Sequence, residues 1–211
     1  SLFAKSQKHT QTYHFGTNGD DIDLLKFINL KRNHSLDAGF KFISTTTPYI
    51  CAIIPASIFT AGFISGLQDS LHSNSNACVK KTKRKAIVIG GALCISGIVS
   101  TSMKYAFNRP RPYLTYPVLE NLATQKTPSF PSGHTAEAFA LSTSLSMAYP
   151  KWYVTAPAFL WAASVGYARM HMGVHYPSDV LVGAIVGAGS SFLSIRINRW
   201  WYKKSKARLI G

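Results

Sequence analysis

Five long stretches of the chain carry no charged side chain, and this pattern limits the folds open to it. They are Phe42–Gln68, Ala86–Met103, Ala138–Pro150, Trp152–Ala168 and Val180–Ile195. A membrane-spanning helix needs about 20 mostly apolar residues, and each stretch approaches that length with its flanking residues. Tryptophans lie at the ends of these stretches, as they do at membrane interfaces. The sequence therefore predicts an all-α, integral-membrane helical bundle of about five transmembrane helices.

A soluble all-helical protein with buried core helices is the alternative, because the mean hydropathy is only +0.06. Small residues recur at helical spacing in the pairs Gly62/Gly66 and Gly183/Gly187. Such pairs let helices approach closely in lipid, although soluble helices contain them too. Together with the aromatic residues at the ends of the stretches, this spacing favours the membrane.

The positive charge is unevenly distributed along the chain. There are 23 Lys and Arg residues against 8 acids, for a net charge of +15. In a soluble protein this excess would indicate nucleic-acid binding. Almost half of the cations, however, lie in Lys80–Lys85 and Arg196–Arg208, which flank charge-free stretches. We therefore expect a lipid bilayer and a membrane lipid as partners, and no nucleic acid.

The same clusters predict the topology. If the spans alternate, the connector Asp69–Lys85, the turn at Lys151 and the C-terminal tail lie on one side, which the positive-inside rule makes cytoplasmic. The opposite side receives residues 1–41, 104–134 and 169–179. We expect a multi-pass protein of the bacterial inner membrane with three regions, namely an extracytoplasmic segment 1–41, a membrane core 42–199 and a basic cytoplasmic tail 200–211.

The N-terminal segment contains one predicted helix. Apolar residues between Asp20 and Asn33 follow a helical period of about three turns. This amphipathic helix lies either on the membrane surface or against the other helices. A chain that begins outside the cytoplasm at Ser1 is explained by a removed secretory signal or by a shortened sequence.

Cations gather in the first extracytoplasmic loop, which reads Lys104-Tyr-Ala-Phe-Asn-Arg109-Pro-Arg111-Pro112. A guanidinium presents a planar fork that matches phosphate oxygens. Arg111, in an extended Arg-Pro backbone, is suited to a fixed role. For Arg109 we expect contact with membrane headgroups.

A second motif, Pro131-Ser132-Gly133-His134, stands immediately before a helical stretch. Backbone N–H groups at a helix start bind anions, and the helix dipole adds to this attraction. Ser132 offers a further donor, and His134 is placed to give a proton to a leaving oxygen. The alternative is a plain helix cap with a surface histidine.

The third motif contains Arg169, His175 and Asp179. His175 and Asp179 are four residues apart, and Pro177 suits the first turn of a helix. In that arrangement the carboxylate meets an imidazole N–H and fixes the tautomer. His171 and His175 also have the spacing of a zinc pair, but no third ligand is evident and the nearby arginines would repel a dication.

These three motifs, in this order, resemble the signature of the type 2 phosphatidic acid phosphatase superfamily. The superfamily also contains class A bacterial acid phosphatases and vanadium haloperoxidases, and the resemblance covers about residues 45–200. One position departs from the pattern, because Ala168 stands where the family usually has Ser. That position is peripheral to the chemistry, so we expect activity to survive.

The resemblance implies a role for each motif residue. His175 would attack phosphorus and form a phosphohistidine, Asp179 would orient His175, and His134 would act as acid and then as base. The phosphoryl oxygens would be held by Lys104, Arg111, Ser132, Gly133 and Arg169. No metal and no cofactor is expected.

The substrates implied by the resemblance are lipid phosphates and pyrophosphates, such as undecaprenyl pyrophosphate, phosphatidylglycerophosphate, phosphatidic acid or lipid A. The site would face the periplasm or exterior. Two alternatives share the motifs, namely a soluble periplasmic acid phosphatase and a vanadate-dependent haloperoxidase.

Overall fold

The computed structural model describes residues 19–72 and 76–207, with side chains described outside 66–78 and 204–207. Within these residues there are seven α-helices, one 3₁₀ turn and no strand. The helices are α1 (Gly19–Leu30), α2 (Asp37–His72), α3 (Asn76–Phe107), α4 (Pro112–Thr115), α5 (Gly133–Ala148), α6 (Trp152–His171) and α7 (Pro177–Ala207), and the 3₁₀ turn is His34–Leu36. The predicted all-α fold is confirmed.

Helix α5 lies at the centre of the bundle and packs against α7, α6 and α3. Its buried residues are mostly small, including Ala138, Ala140 and Ser144. Two glycines of α7 allow its backbone to lie directly against the backbone of α5 and the residue before it. A Cβ on Gly183 would lie 2.7 Å from the Ser132 carbonyl oxygen, and one on Gly187 would lie 2.1 Å from the Ala136 carbonyl oxygen. The small-residue spacing therefore marks a real close contact between helices.

Large apolar side chains point outward from the bundle. Exposed examples are Ile53, Phe59, Ile98, Leu160, Leu181, Ile185 and Phe192. Water disfavours such an extensive apolar surface, whereas acyl chains are a suitable environment for it. In the described part of the chain, three helical segments are long and apolar enough to cross a membrane, namely His34–Ser65, Val79–Thr115 and Pro177–Lys203. The count of five spans stays a prediction.

The long helices extend beyond the predicted stretches. Helix α3 begins at Asn76, so Lys80–Lys85 lies within a helix and the predicted connector Asp69–Lys85 is wrong in this part. Lys and Arg are good helix formers. At 1.5 Å per residue the 32 residues of α3 span about 48 Å, against about 30 Å for the hydrocarbon core. Its charged turns therefore extend past the apolar region.

Helix α7 likewise continues to Ala207, across the predicted boundary between core and tail at residue 200. The remaining ends of the predicted regions, 1–18 and 208–211, lie outside the described residues. The three-region division of the chain stays a prediction.

The two basic clusters meet at one end of the bundle. The Arg84 guanidinium of α3 donates to the Asn198 side chain of α7 at 2.6 Å. Lys85 Nζ lies 3.7 Å from the ring centroid of Tyr149, directly after α5. Helices α3 and α6 end, and α5 and α7 begin, at the opposite end. That end carries the three motifs, so the clusters and the motifs lie at opposite ends, as the alternation of spans predicts.

Helix α1 packs on the motif end of the bundle. Ile22 and Leu25 are buried against Leu119 and Tyr176. Of the two placements considered from the sequence, the structure therefore shows the helix packed on the other helices. It ends at Leu30, three residues before the predicted end.

Candidate active site

A cavity of about 240 Å³ opens at the motif end, between the ends of α2, α3, α5 and α6. Six of the eight predicted site residues line it, namely Lys104, Arg111, Gly133, His134, Arg169 and His175. The three motifs therefore converge on one cavity, although they lie far apart in the sequence. Glu137, which the sequence analysis left out of the site, lines the cavity as well.

A tight turn positions His175. Helix α6 ends at His171, and Gly173 follows with φ +69°. A Cβ at Gly173 would lie 2.6 Å from the Glu120 carbonyl oxygen, so both the backbone angle and the space require glycine here. The turn leads into α7, and His175 is left only 1% exposed.

The contacts of His175 define its tautomer. Arg111 Nη1 lies 3.1 Å from His175 Nε2. Because a guanidinium only donates hydrogen bonds, Nε2 accepts and carries no proton. His175 Nδ1 lies 3.4 Å from Asp179 Oδ2, so the ring proton faces the carboxylate. Nε2 is thereby the unprotonated nitrogen of the ring, as a nucleophile requires, and its lone pair accepts the hydrogen bond from Arg111.

The electrostatic surroundings keep this ring neutral. Burial lowers the pKa of His175 well below its ordinary value, and the charges of Arg169 and Arg111 lower it further. The charged form is disfavoured both by the loss of water and by the neighbouring cations. His175 is therefore neutral at neutral pH, with its Nε2 unprotonated.

Asp179 lies behind His175, fully buried in the first turn of α7, which begins at Pro177 as predicted. Its carboxylate accepts hydrogen bonds from Arg109 Nη1 at 2.6 Å, from the Tyr176 backbone N–H at 3.0 Å and from the Ser129 hydroxyl. These donors satisfy the buried carboxylate and fix its orientation toward the imidazole.

Two of the predicted phosphate ligands are anchored by backbone carbonyls. Lys104 Nζ donates to the carbonyl oxygens of Pro128 and Pro131 at 2.9 and 2.8 Å. Arg111 donates to the carbonyl oxygens of Thr127 and Val174 at 2.9 and 3.0 Å. Both cations are held in place while they line the cavity.

Arg169 differs from these two cations in its unused donors. It is 2% exposed, and its Nη1 donates to the Ser44 hydroxyl at 2.5 Å. Its Nε and Nη2 are buried without a hydrogen-bond partner among the described residues. Unpaired buried donors on a charged group are costly. An anion in the cavity would satisfy them.

The second motif is only partly at the cavity. Helix α5 begins at Gly133 as predicted, and Gly133 and His134 line the cavity. Ser132 does not. Its hydroxyl accepts from the Thr135 hydroxyl at 2.9 Å, and its backbone N–H donates to the Asp179 carbonyl oxygen at 3.0 Å. It occupies the N-cap position of α5 without a side-chain cap, and its carbonyl oxygen accepts from the Ala136 backbone N–H at 2.9 Å. The histidine of the plain-cap alternative was expected at the surface, whereas His134 is half-buried at the cavity.

The expectation that Arg109 contacts membrane headgroups is wrong. Arg109 is 8% exposed and binds Asp179, Asp21 and Ser178 inside the protein. A buried carboxylate such as Asp179 needs a cationic partner, and this requirement could have predicted its contact with Arg109. Ser129 and Asp21 were not among the predicted site residues, because their contacts with the site are long-range and leave no local pattern.

His171 does not join His175. Its Nε2 lies 2.7 Å from Asp37 Oδ1 instead, in a cluster with Arg32 and Glu120 at the start of α2. The spacing of four residues therefore does not bring these two imidazoles onto a common ligand.

The comparison with family models gives a match to the PAP2 superfamily over residues 85–203, more than half of the chain. The chain belongs to the PAP2 superfamily. The resemblance stated from the motifs is thereby confirmed, and the matched residues run from Lys85, in the third turn of α3, almost to the end of α7.

Curated PAP2 relatives include an undecaprenyl-diphosphatase of Sulfolobus acidocaldarius, 32% identical over 56% of this chain and 57% of the relative. A lipid A 4'-phosphatase of Bacteroides thetaiotaomicron is 38% identical over 30% of this chain and 28% of the relative. The chain thus spans about half or less of the length of these curated relatives.

Solved structures match over most of the chain. Aquifex aeolicus LpxE has a TM-score of 0.69 at 29% identity, covering 83% of this chain and 94% of that one. The transmembrane PAP2-type phosphatidylglycerolphosphate phosphatase of Bacillus subtilis has a TM-score of 0.69 at 20% identity, covering 89% and 88%. The latter likeness shows the fold alone.

Proposed function

We propose that this chain is a membrane lipid phosphatase that hydrolyses a phosphomonoester or a pyrophosphate on a lipid headgroup, through a phosphohistidine. The observation that carries the proposal is Arg169, a buried cation that lines the same cavity as His175 and whose Nε and Nη2 have no hydrogen-bond partner among the described residues. A phosphoryl group is the anion that both satisfies these donors and is open to attack by the imidazole.

In the first step, the Arg111 N–H that contacts His175 Nε2 moves to a phosphoryl oxygen, and the released lone pair of Nε2 attacks phosphorus to form the N–P bond. The bond from phosphorus to the leaving oxygen breaks, and His134 gives that oxygen its proton. Burial, Arg169 and Lys104 lower the pKa of His134 to about 3, and the negative charge of the entering phosphoryl group offsets these cations so that His134 binds the proton. The Nδ1 proton of His175 stays on the ring, where Asp179 balances the new positive charge. Lys104, Arg111 and Arg169 neutralise the charge on the phosphoryl oxygens, while Gly133 and Ser132 are proposed as further donors.

In the second step, His134, now neutral, takes a proton from water while the hydroxide attacks phosphorus. The N–P bond breaks, its electron pair returns to Nε2, and inorganic phosphate leaves. His134 ends protonated and His175 neutral, so the enzyme is ready for another turnover. The cations supply the charge neutralisation that a metal ion supplies in other phosphatases, so we propose a metal-independent reaction.

The placement of the cavity supports a lipid substrate. It opens at one end of helices that carry an apolar outer surface, so a lipid keeps its tail in the bilayer while its headgroup enters. The basic clusters at the opposite end place that end in the cytoplasm by the positive-inside rule. We therefore propose a multi-pass protein of a bacterial inner membrane whose site faces the periplasm or exterior.

Phosphate release in detergent from a panel of lipid substrates tests this function. The panel contains phosphatidic acid, phosphatidylglycerophosphate and undecaprenyl pyrophosphate, with p-nitrophenyl phosphate as the soluble comparison. His175→Ala should lose nearly all turnover on every substrate, whereas His34→Ala, at an exposed histidine outside the site, should keep it. Equal rates on the soluble and lipid substrates would contradict a lipid phosphatase, and loss of activity with EDTA would contradict the metal-independent reaction.

A further inference from the structure

Helix α1 lies outside the residues matched by the family model, yet its Asp21 reaches the motif end of α7. Asp21 Oδ1 accepts from the Ser178 backbone N–H at 2.9 Å, and Oδ2 accepts from the Ser178 hydroxyl at 2.6 Å. Ser178 is the second residue of α7, so this carboxylate serves as a cap supplied from another helix. Asp21 thereby fixes the first turn of the helix that carries Asp179.

The same carboxylate continues into the charge network behind the nucleophile. Arg109 Nη2 donates to Asp21 Oδ2 at 2.9 Å, while Arg109 Nη1 donates to Asp179 Oδ1 at 2.6 Å. The side chains of Asp21 and Arg109 are 11% and 8% exposed, and that of Asp179 is fully buried. A continuous series of contacts therefore runs from α1 through Arg109 and Asp179 to His175.

The charges in this series add up to a specific electrostatic effect. Among the described residues, two carboxylates, those of Asp21 and Asp179, contact the Arg109 guanidinium, so these three groups together carry one net negative charge behind His175. Without Asp21, Arg109 would neutralise Asp179 alone. The imidazole becomes positively charged when it bonds to phosphorus, and a neutral group behind it would stabilise that charge less.

We propose that Asp21 is a positioning residue for the phosphatase reaction. It holds Arg109 and the first turn of α7, so that Asp179 stays oriented toward His175. It also shares the positive charge of Arg109, so that the negative charge of Asp179 is not fully neutralised. This inference rests on the proposed function, since it takes His175 as the nucleophile. Asp21 does not line the cavity, so it acts on the chemical step and leaves substrate binding unchanged.

The test compares Asp21→Asn with Asp23→Asn in the full chain in detergent. Asp23 is on the same helix and 72% exposed, and its ionic partner among the described residues is Lys26 at 3.8 Å. Asp21→Asn should lower kcat by about ten- to a hundredfold, the size expected from a lost charged hydrogen bond. KM and the inhibition constant of inorganic phosphate should stay at the wild-type values, and Asp23→Asn should be unchanged throughout.

A second variant separates this charge effect from a merely structural role. Asp21→Glu keeps the negative charge beside Arg109 but changes the length of the side chain, whereas Asp21→Asn keeps the length and removes the charge. Asp21→Glu should therefore turn over faster than Asp21→Asn, whereas a merely structural role predicts that the isosteric Asn is the better replacement. The comparison also stays informative if either variant has a lower thermal midpoint.

Two outcomes would overturn the inference, namely a kcat of Asp21→Asn equal to that of Asp23→Asn, or a kcat of Asp21→Glu no higher than that of Asp21→Asn. Both are read against His175→Ala, which must be inactive. Turnover by His175→Ala would instead contradict the proposed function, so the two failures are distinguishable.

Discussion

Arg169 is the residue at which the function and the stability of the protein should move in opposite directions. It is buried at the end of α6, with one N–H group bonded to Ser44 and two donors unpaired among the described residues. Replacement by Lys keeps the charge but removes the fork that presents these donors. Replacement by Met removes the charge and keeps a similar side-chain length.

The magnitude follows from the two unpaired donors. A hydrogen bond to a charged group contributes about 1.5–3 kcal/mol, so two bonds to a phosphoryl group contribute about 3–6 kcal/mol. At about 1.4 kcal/mol for each tenfold change, Arg169→Lys should lower kcat/KM by roughly 10²- to 10⁴-fold. The assay is initial-rate phosphate release from the best lipid substrate of the panel.

The stability of Arg169→Met should change in the other direction. A buried cation with unpaired donors destabilises the empty protein, and an apolar side chain of similar size removes that cost. Arg169→Met should be inactive while its thermal midpoint in detergent is equal to or above the wild-type value. Arg169→Lys within threefold of wild-type kcat/KM, or a large fall in the midpoint of Arg169→Met, would refute this reasoning.

Three further predictions address the site and the packing. The pKa of His175 is held well below its ordinary value of about 6.5. A pH–rate profile should therefore show no loss of kcat/KM from His175 protonation as pH falls from 7.5 to about 6.5. Gly187→Ala should lower the free energy of unfolding by about 1–3 kcal/mol or more, because the new Cβ would lie 2.1 Å from the α5 backbone. Gly189→Ala is the control and should leave thermal unfolding unchanged, because its Cβ would have no described atom within 4 Å. Glu137→Gln should lower KM severalfold, most for a pyrophosphate, since the carboxylate lines the cavity and repels an anionic headgroup.

Local sequence patterns predicted several features of the cavity correctly. The i,i+4 spacing of His175 and Asp179 with Pro177 predicted the start of α7, and the glycine before a helical stretch predicted the start of α5. Each depends on neighbours within one turn. The convergence of Lys104, Arg111 and Arg169 followed only from the family resemblance, because loop residues of different connectors have no local reason to meet.

The contacts that hold the cavity residues in place could not be predicted from the sequence. Arg109 looks like any interfacial cation until α1 and α7 are brought together, when it lies between Asp21 and Asp179. Ser132 is placed by a motif but buried by its contact with Thr135. Helix ends were also misjudged, because a basic run such as Lys80–Lys85 reads as a connector although its residues favour helix.

The proposed reaction requires that phosphorus bonds to His175 during turnover. The most direct measurement is a rapid-mixing experiment with lipid substrate labelled in the phosphoryl group, quenched in alkaline detergent and mapped to the modified residue. The account predicts label on His175, and no label and no turnover in His175→Ala. Label on another residue, or continued phosphate release by His175→Ala, would contradict it.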